Sequence, residues 1–75
     1  MIREERLEST KEMIEKYSKS KSILKENYKH ICGLIKDLEL KNEQVFVSAF
    51  KIDYTIEELK QCKKMYAKAL RNLNN

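Results

Sequence analysis

The side chains able to carry chemistry are few and poorly placed for it. His30, Cys32 and Cys62 are the soft-metal candidates. A zinc site needs four donors converging on one point, and His30 and Cys32 on one helix would point about 200° apart. A fourth ligand would have to be a carboxylate, so the pattern predicts neither metal nor cofactor. Two cysteines are too few for a disulfide framework; both are expected reduced and half-buried on helices, with a bridge possible only if their helices are neighbours. For acid–base work, His30 follows Lys29 and has no evident carboxylate to orient it. Asp37, Glu39 and Asp53 stand alone, without a second acid at a defined spacing. The expectation is a chain that is not an enzyme and has no evident small-molecule substrate.

Cations offer the other chemistry. The row Lys60, Lys64, Lys68 and Arg71, with Lys63 nearby, could track phosphates, and Lys19, Lys21, Lys25 and Lys29 form a second series, interrupted by Glu26. Arginine, which reads guanine edges, occurs only at positions 3, 6 and 71, so sequence-specific readout is not expected. The net charge of +4 is unevenly spread: residues 1–17 sum to −1, 18–41 to +3, 42–55 to −1 and 56–75 to +3.

These residues must be held by helices. Apolar residues at Leu24, Tyr28, Ile31, Ile35 and Leu38 alternate four and three apart, the spacing of a helical seam. Written as a heptad, Leu7, Ile14, Lys21, Tyr28 and Ile35 take one core position, and Thr10, Tyr17, Leu24, Ile31 and Leu38 the other. Glu12 with Lys16 and Glu15 with Lys19 support the first turns in the favourable acid-first orientation. This predicts a long helix over about 3–40. The serines of Ser18-Lys19-Ser20-Lys21-Ser22 leave an alternative, a three-helix bundle broken near 18–22. At Leu40-Lys41-Asn42-Glu43 a break is expected, with Asn42 capping a second helix over about 43–52. That apolar stretch puts Val45, Ser48, Ala49 and Ile52 on one face and Phe46 and Phe50 on the next. Its β-branched and aromatic content would also suit a strand, but a lone strand would lack a partner. Thr55 and Glu58 have capping-box spacing and Tyr54 with Leu59 that of a hydrophobic staple, so a third helix is predicted over about 56–73. Leu59, Cys62, Tyr66, Ala69, Leu70 and Leu73 share its apolar face, flanked by Ile56 and Met65, opposite its basic row.

The 75 residues, with one glycine, no proline and 37% charge, fit one all-α domain over 1–75, coiled-coil-like, with the two shorter helices folded back on the long one. No apolar run approaches the 18 or so residues of a membrane span, and the charged start, MIREERLE, is unlike a signal peptide, so a cytoplasmic location is expected. A chain this short buries a limited fraction of its surface, which favours self-association.

Leu40 to Leu59, with Glu43-Gln44 and then Tyr54-Thr55-Ile56-Glu57-Glu58-Leu59, loosely resembles the first part of the helix-turn-helix in the last region of bacterial sigma factors. After Leu59 too few residues remain for a turn and a full recognition helix. The heptapeptide Asp53 to Leu59 is similar to a stretch in small helical antitoxins that neutralise zeta-type toxin kinases, and a capping box alone generates such a match. Neither resemblance assigns a family.

The functional expectation is a small helical protein–protein interaction module acting by helix packing, of the adaptor, inhibitor, antitoxin or assembly-factor kind. Its partner would be another protein, a second copy, or both. The expected contacts are Tyr28, Ile31, Ile35, Leu38, Phe46 and Phe50, since aromatic and large aliphatic anchors carry most interface energy. The alternative is a nucleic-acid-associated regulator using Lys60, Lys64, Lys68 and Arg71.

Overall fold

A computed structural model describes residues 4–51 and 53–74. The chain forms α1 (Glu4–Lys16), α2 (Lys21–Leu40), β1 (Val45–Val47), β2 (Asp53–Thr55) and α3 (Ile56–Asn74). The mostly helical class and the third helix agree with the sequence reading. Two other expectations need correction. Arg3, where the first helix was expected to begin, and Ile52 lie outside the described residues.

The long helix over 3–40 does not form. It would measure about 55 Å, whereas the molecule is 36 Å along its longest axis. The chain leaves the helix after Lys16 through tight bonds, Ser18 N–H to the Glu15 carbonyl at 3.4 Å and Ser20 N–H to the Tyr17 carbonyl at 2.9 Å. Helix α2 then starts from the Ser20 carbonyl, which accepts from Leu24 N–H at 3.1 Å. The break lies in the serine-rich segment, as the three-helix alternative had it. Its physical reason is packing, because a straight helix would carry α1 beyond any partner, whereas the break lets α1 lie against α3.

Pairings along the helices give their directions. Arg6 meets Glu58 and Thr10 meets Cys62. Ile14 shares a cleft with Met65 and Ala69, and Ser18 another with Asn72 and Leu73. Both helices advance about one turn at each step, so α1 runs parallel to α3. Leu38 clusters with Leu59, whereas Asn27 and Ile31 share a cleft with Cys62 and Tyr66, so α2 is antiparallel to α3. Among the described residues the buried apolar ones, Leu24, Ile35, Leu38, Leu59, Cys62 and Tyr66, lie on α2 and α3.

The helix expected over 43–52 is replaced by a hairpin. Val45, Phe46 and Val47 pair antiparallel with Thr55, Tyr54 and Asp53, and Ile56 N–H extends the ladder to the Gln44 carbonyl at 3.0 Å. The missing strand partner is thus supplied by residues 53–55, eight positions on. Phe46 and Tyr54, directly opposite each other with ring centroids 6.4 Å apart, face inward onto the Ile35–Leu38–Leu59 cluster. Val45 and Val47 face out. With these strands in place, the likeness of Leu40–Leu59 to a helix-turn-helix has no structural counterpart.

Asn42 was expected to start a helix; instead it closes one. Its φ is +56°, its N–H bonds the Glu39 carbonyl at 3.2 Å, and Glu43 N–H bonds the Leu38 carbonyl at 2.9 Å. This is a Schellman motif, in which a left-handed residue lets the chain turn back and satisfy the last carbonyls. Asparagine tolerates that conformation and β-branched residues do not. Asn42→Val should lower stability by about 1–2 kcal/mol, and Asn42→Gly should leave it nearly unchanged, as read from urea-unfolding midpoints.

Candidate functional site

A cleft, a set of exposed apolar residues and a basic row mark the surface, and Arg6 lines the cleft. Arg6, on the first turn of α1, puts a guanidinium nitrogen 2.9 Å from Glu58 Oε2. Glu58 is 1% exposed, the deepest charged residue described. The same guanidinium lies 4.6 Å from the centre of the Tyr54 ring, within cation–π range. Thr55 Oγ1 accepts from Glu58 N–H at 3.2 Å, so α3 starts with the expected cap while its third residue reaches across to α1. Arg6 therefore joins α1, β2 and α3 at a single point.

One turn further along α1, the Thr10 hydroxyl donates to the Arg6 carbonyl at 2.9 Å and lies 3.3 Å from Cys62 Sγ. Around this contact two hollows open, of about 300 and 350 Å³, which share Thr10, Tyr54, Cys62 and Tyr66 in their walls. The first also takes His30, Ile31 and Phe46, the second Arg6, Met13 and Glu58. Together they make a cleft with aromatic and aliphatic walls between the helices and the hairpin, wide enough for a side chain of a partner. Among the described residues no group of three or more His, Cys, Asp or Glu could hold a metal ion. His30 and Cys62 face the same cleft, and both cysteines are free thiols.

The residues expected to form an interface divide. Ile35 and Leu38 are sealed in the core by α3, which removes them as anchors for another chain. Tyr28, Ile31 and Phe46 are half-buried, and Phe50 is 86% exposed at the hairpin tip. The seam of α2 thus finds its match within the molecule. Among the described residues the exposed large apolar ones are Leu40, 77% exposed at the C-terminal end of α2, Val45, Val47 and Phe50 of the hairpin, and Met13 of α1.

The basic row divides as well. Lys60, Lys63 and Lys64 border a furrow between α2 and α3 together with Ile35, Glu39 and Ala67. Lys68 leans the other way, into the cleft beside Lys11, Ile14 and Glu15 of α1. Arg71 is exposed. Sequence reasoning missed Arg6 and the Thr10–Cys62 contact because both join residues 52 positions apart. The available hint was Glu58, an acid on the apolar edge of α3 that would need a cation once buried.

No known protein family, no curated protein and no solved structure matches the chain. Among the described residues no helix is long and apolar enough to cross a membrane.

Two expectations test this geometry. Arg6→Ala would remove the guanidinium that lies 2.9 Å from the buried Glu58 carboxylate. As Arg6 is itself partly solvated, the loss should be about 2–4 kcal/mol, slightly below that for a fully buried pair. The companion Arg6→Ala/Glu58→Leu should recover part of it, measured as a coupling in a double-mutant cycle. Burial, and after it Cys62, pushes the Tyr66 phenol above its ordinary 10.0. Below that value the phenol is neutral folded and unfolded, and its contribution is fully present; above it the unfolded chain ionises first and stability falls. Between pH 8 and about pH 10.5, wild type should therefore lose more unfolding free energy than Tyr66→Phe.

Proposed function

We propose that the chain is a protein–protein interaction module that docks its partner on the outer face and tip of the β-hairpin, working by surface binding rather than by catalysis. The observation that carries this reading is the exposure of Phe50, 86%, three residues after the outward Val47 in the hairpin, with Val45 also outward and Leu40 exposed at the end of α2. Soluble monomers rarely gather large apolar side chains in this way unless the patch binds something. Aromatic anchors of this kind carry most interface energy.

Among the described residues each strand of the two-stranded sheet has one edge without a strand neighbour, and such edges are templates for pairing with another chain. Both signs of charge flank the apolar residues, with Lys41 and Lys51 beside Glu43 and Asp53, all exposed. A surface carrying both signs around an apolar centre suits pairing with a second copy across a two-fold axis, so a second copy is the partner proposed first. Adaptors and assembly factors use surfaces of this sort.

Mass measurement by light scattering at about 100 μM, well above typical dimer dissociation constants, should give twice the 9.0 kDa of the chain. Val47→Asp/Phe50→Asp should give the single mass with unchanged helical circular dichroism. If wild type is monomeric, a nuclease-treated co-purification from the native host should recover a protein that this variant fails to hold. A monomer that retains no such protein would end the reading.

A further inference from the structure

The fold brings the two basic series together into one face, although in the sequence they are 24 residues or more apart. On the turn of 100° per residue, Lys21, Lys25, Lys29 and Lys36 of α2 fall within about 80° of arc, on the side of Ile35 and Glu39. On α3, Lys60, Lys63, Lys64 and Arg71 fall within about 100°, on the side of Ala67. Ile35, Glu39 and Ala67 are walls of one furrow, of about 280 Å³, with Lys60, Lys63 and Lys64 as its rim. Asn27, Ile31, Cys62 and Tyr66 line the cleft on the other side of the same helix pair. The two arcs are therefore neighbours, on the side of α2 and α3 turned away from α1 and the hairpin.

Within those arcs the acid among the described residues is Glu39. Eight cations against one acid make +7, while the whole chain is only +4, so the remainder of the molecule carries −3. A soluble surface usually intersperses its signs, and a division of this size creates a directed field. Seven of the eight cations are exposed, with Lys63 half-buried.

We infer that this two-helix face binds the phosphate backbone of double-stranded DNA. Seven of its eight cations are lysines, mobile point charges suited to a diffuse polyanion, and the arginine count is too low for reading bases. Single strands are held by aromatic stacking, and this face offers only the half-buried Tyr28. An anionic membrane would call for apolar anchors among the cations, but Val45, Val47 and Phe50 belong to the hairpin. Double-stranded RNA modules span about 16 base pairs, and the α2 row, Lys21 to Lys36, extends about 22 Å, less than one 34 Å turn of duplex. Binding is thus expected to be independent of sequence and separate from docking at the hairpin.

The test is fluorescence anisotropy of a mixed-sequence 24-base-pair DNA duplex with the full chain. Affinity should fall on the order of a thousandfold between 50 and 200 mM salt, as for about six phosphate contacts. Lys25→Ala/Lys29→Ala/Lys60→Ala/Lys64→Ala, all at exposed positions, should weaken binding at least about thirtyfold and flatten the logarithmic salt slope by about three to four. Lys11→Ala/Lys68→Ala, on the α1 side, should change it less than about twofold. Absence of saturable binding at 50 mM salt overturns the inference, as does a fourfold variant that binds like wild type while circular dichroism shows both folded. Tighter binding to a duplex RNA of equal length, to phosphatidylserine-containing vesicles or to polyglutamate would overturn it in favour of that ligand. Val47→Asp/Phe50→Asp should bind DNA like wild type apart from any loss of avidity, so this inference and the hairpin reading stand or fall separately.

Discussion

The pair formed by Arg6 and Glu58 constrains where α1 can lie. A carboxylate 1% exposed is costly to bury and must be met by a cation with good geometry, and the cation comes from the far end of the sequence. Once that contact is made, the parallel run of α1 along α3 follows, since Thr10, Ile14 and Ser18 fall on Cys62, Met65 and Asn72 in successive turns. Such a pair often contributes less to net stability than apolar burial of the same volume would, and its geometry disfavours a shift of α1 along α3, which would lengthen the 2.9 Å contact. The Tyr54 ring under the same guanidinium extends that constraint to the hairpin.

The core that these constraints assemble is small. Among the described residues its buried apolar side chains come from α2 and α3, while α1 and the hairpin lean on that pair through half-buried residues. Every apolar residue has to find a place within a 75-residue chain, and the interior has room for few of them. Among the described residues most of the surplus lies on Leu40, Val45, Val47 and Phe50, with Met13 of α1 also exposed. Opposite signs of the same economy govern charge: the acids concentrate on α1 and around the hairpin, and the cations on the outer side of α2 and α3. One short chain therefore presents exposed apolar residues on the hairpin and a basic side on α2 and α3, at separate places.

Much of the local structure was legible in the residues. The helical class, the apolar stripe of α3, its start at Thr55 and the end of α2 near Leu40 follow from periodicity and capping chemistry, which operate over three or four residues. Three features were not legible in the same way. Serines permit a break at 17–20 without demanding one, so the outcome rested on whether α1 had a surface to return to. Residues 45–47 carry strand-forming types, yet a strand is stable only with a paired neighbour, and Asp53-Tyr54-Thr55 is too short to announce itself as one. Asn42 is equally suited to begin a helix or to end one, and the hydrogen bonds of Glu43 and Asn42 to the preceding turn decided the matter.

The candidate surfaces show the same division. Residue types alone determined that the chain has basic rows, a seam on Leu24 to Leu38 and two large aromatics in the middle, since each is a property of spacing within one segment. Tertiary packing alone decided that α3 would consume Ile35 and Leu38, that Phe46 would turn inward while Phe50 stayed out, that Lys68 would leave its row, and that the remaining cations of two helices would share a side. Side-chain periodicity sets which residues lie together on one helix; which face meets protein and which meets water depends on neighbours from distant parts of the chain, as α3 does for Ile35 and Leu38.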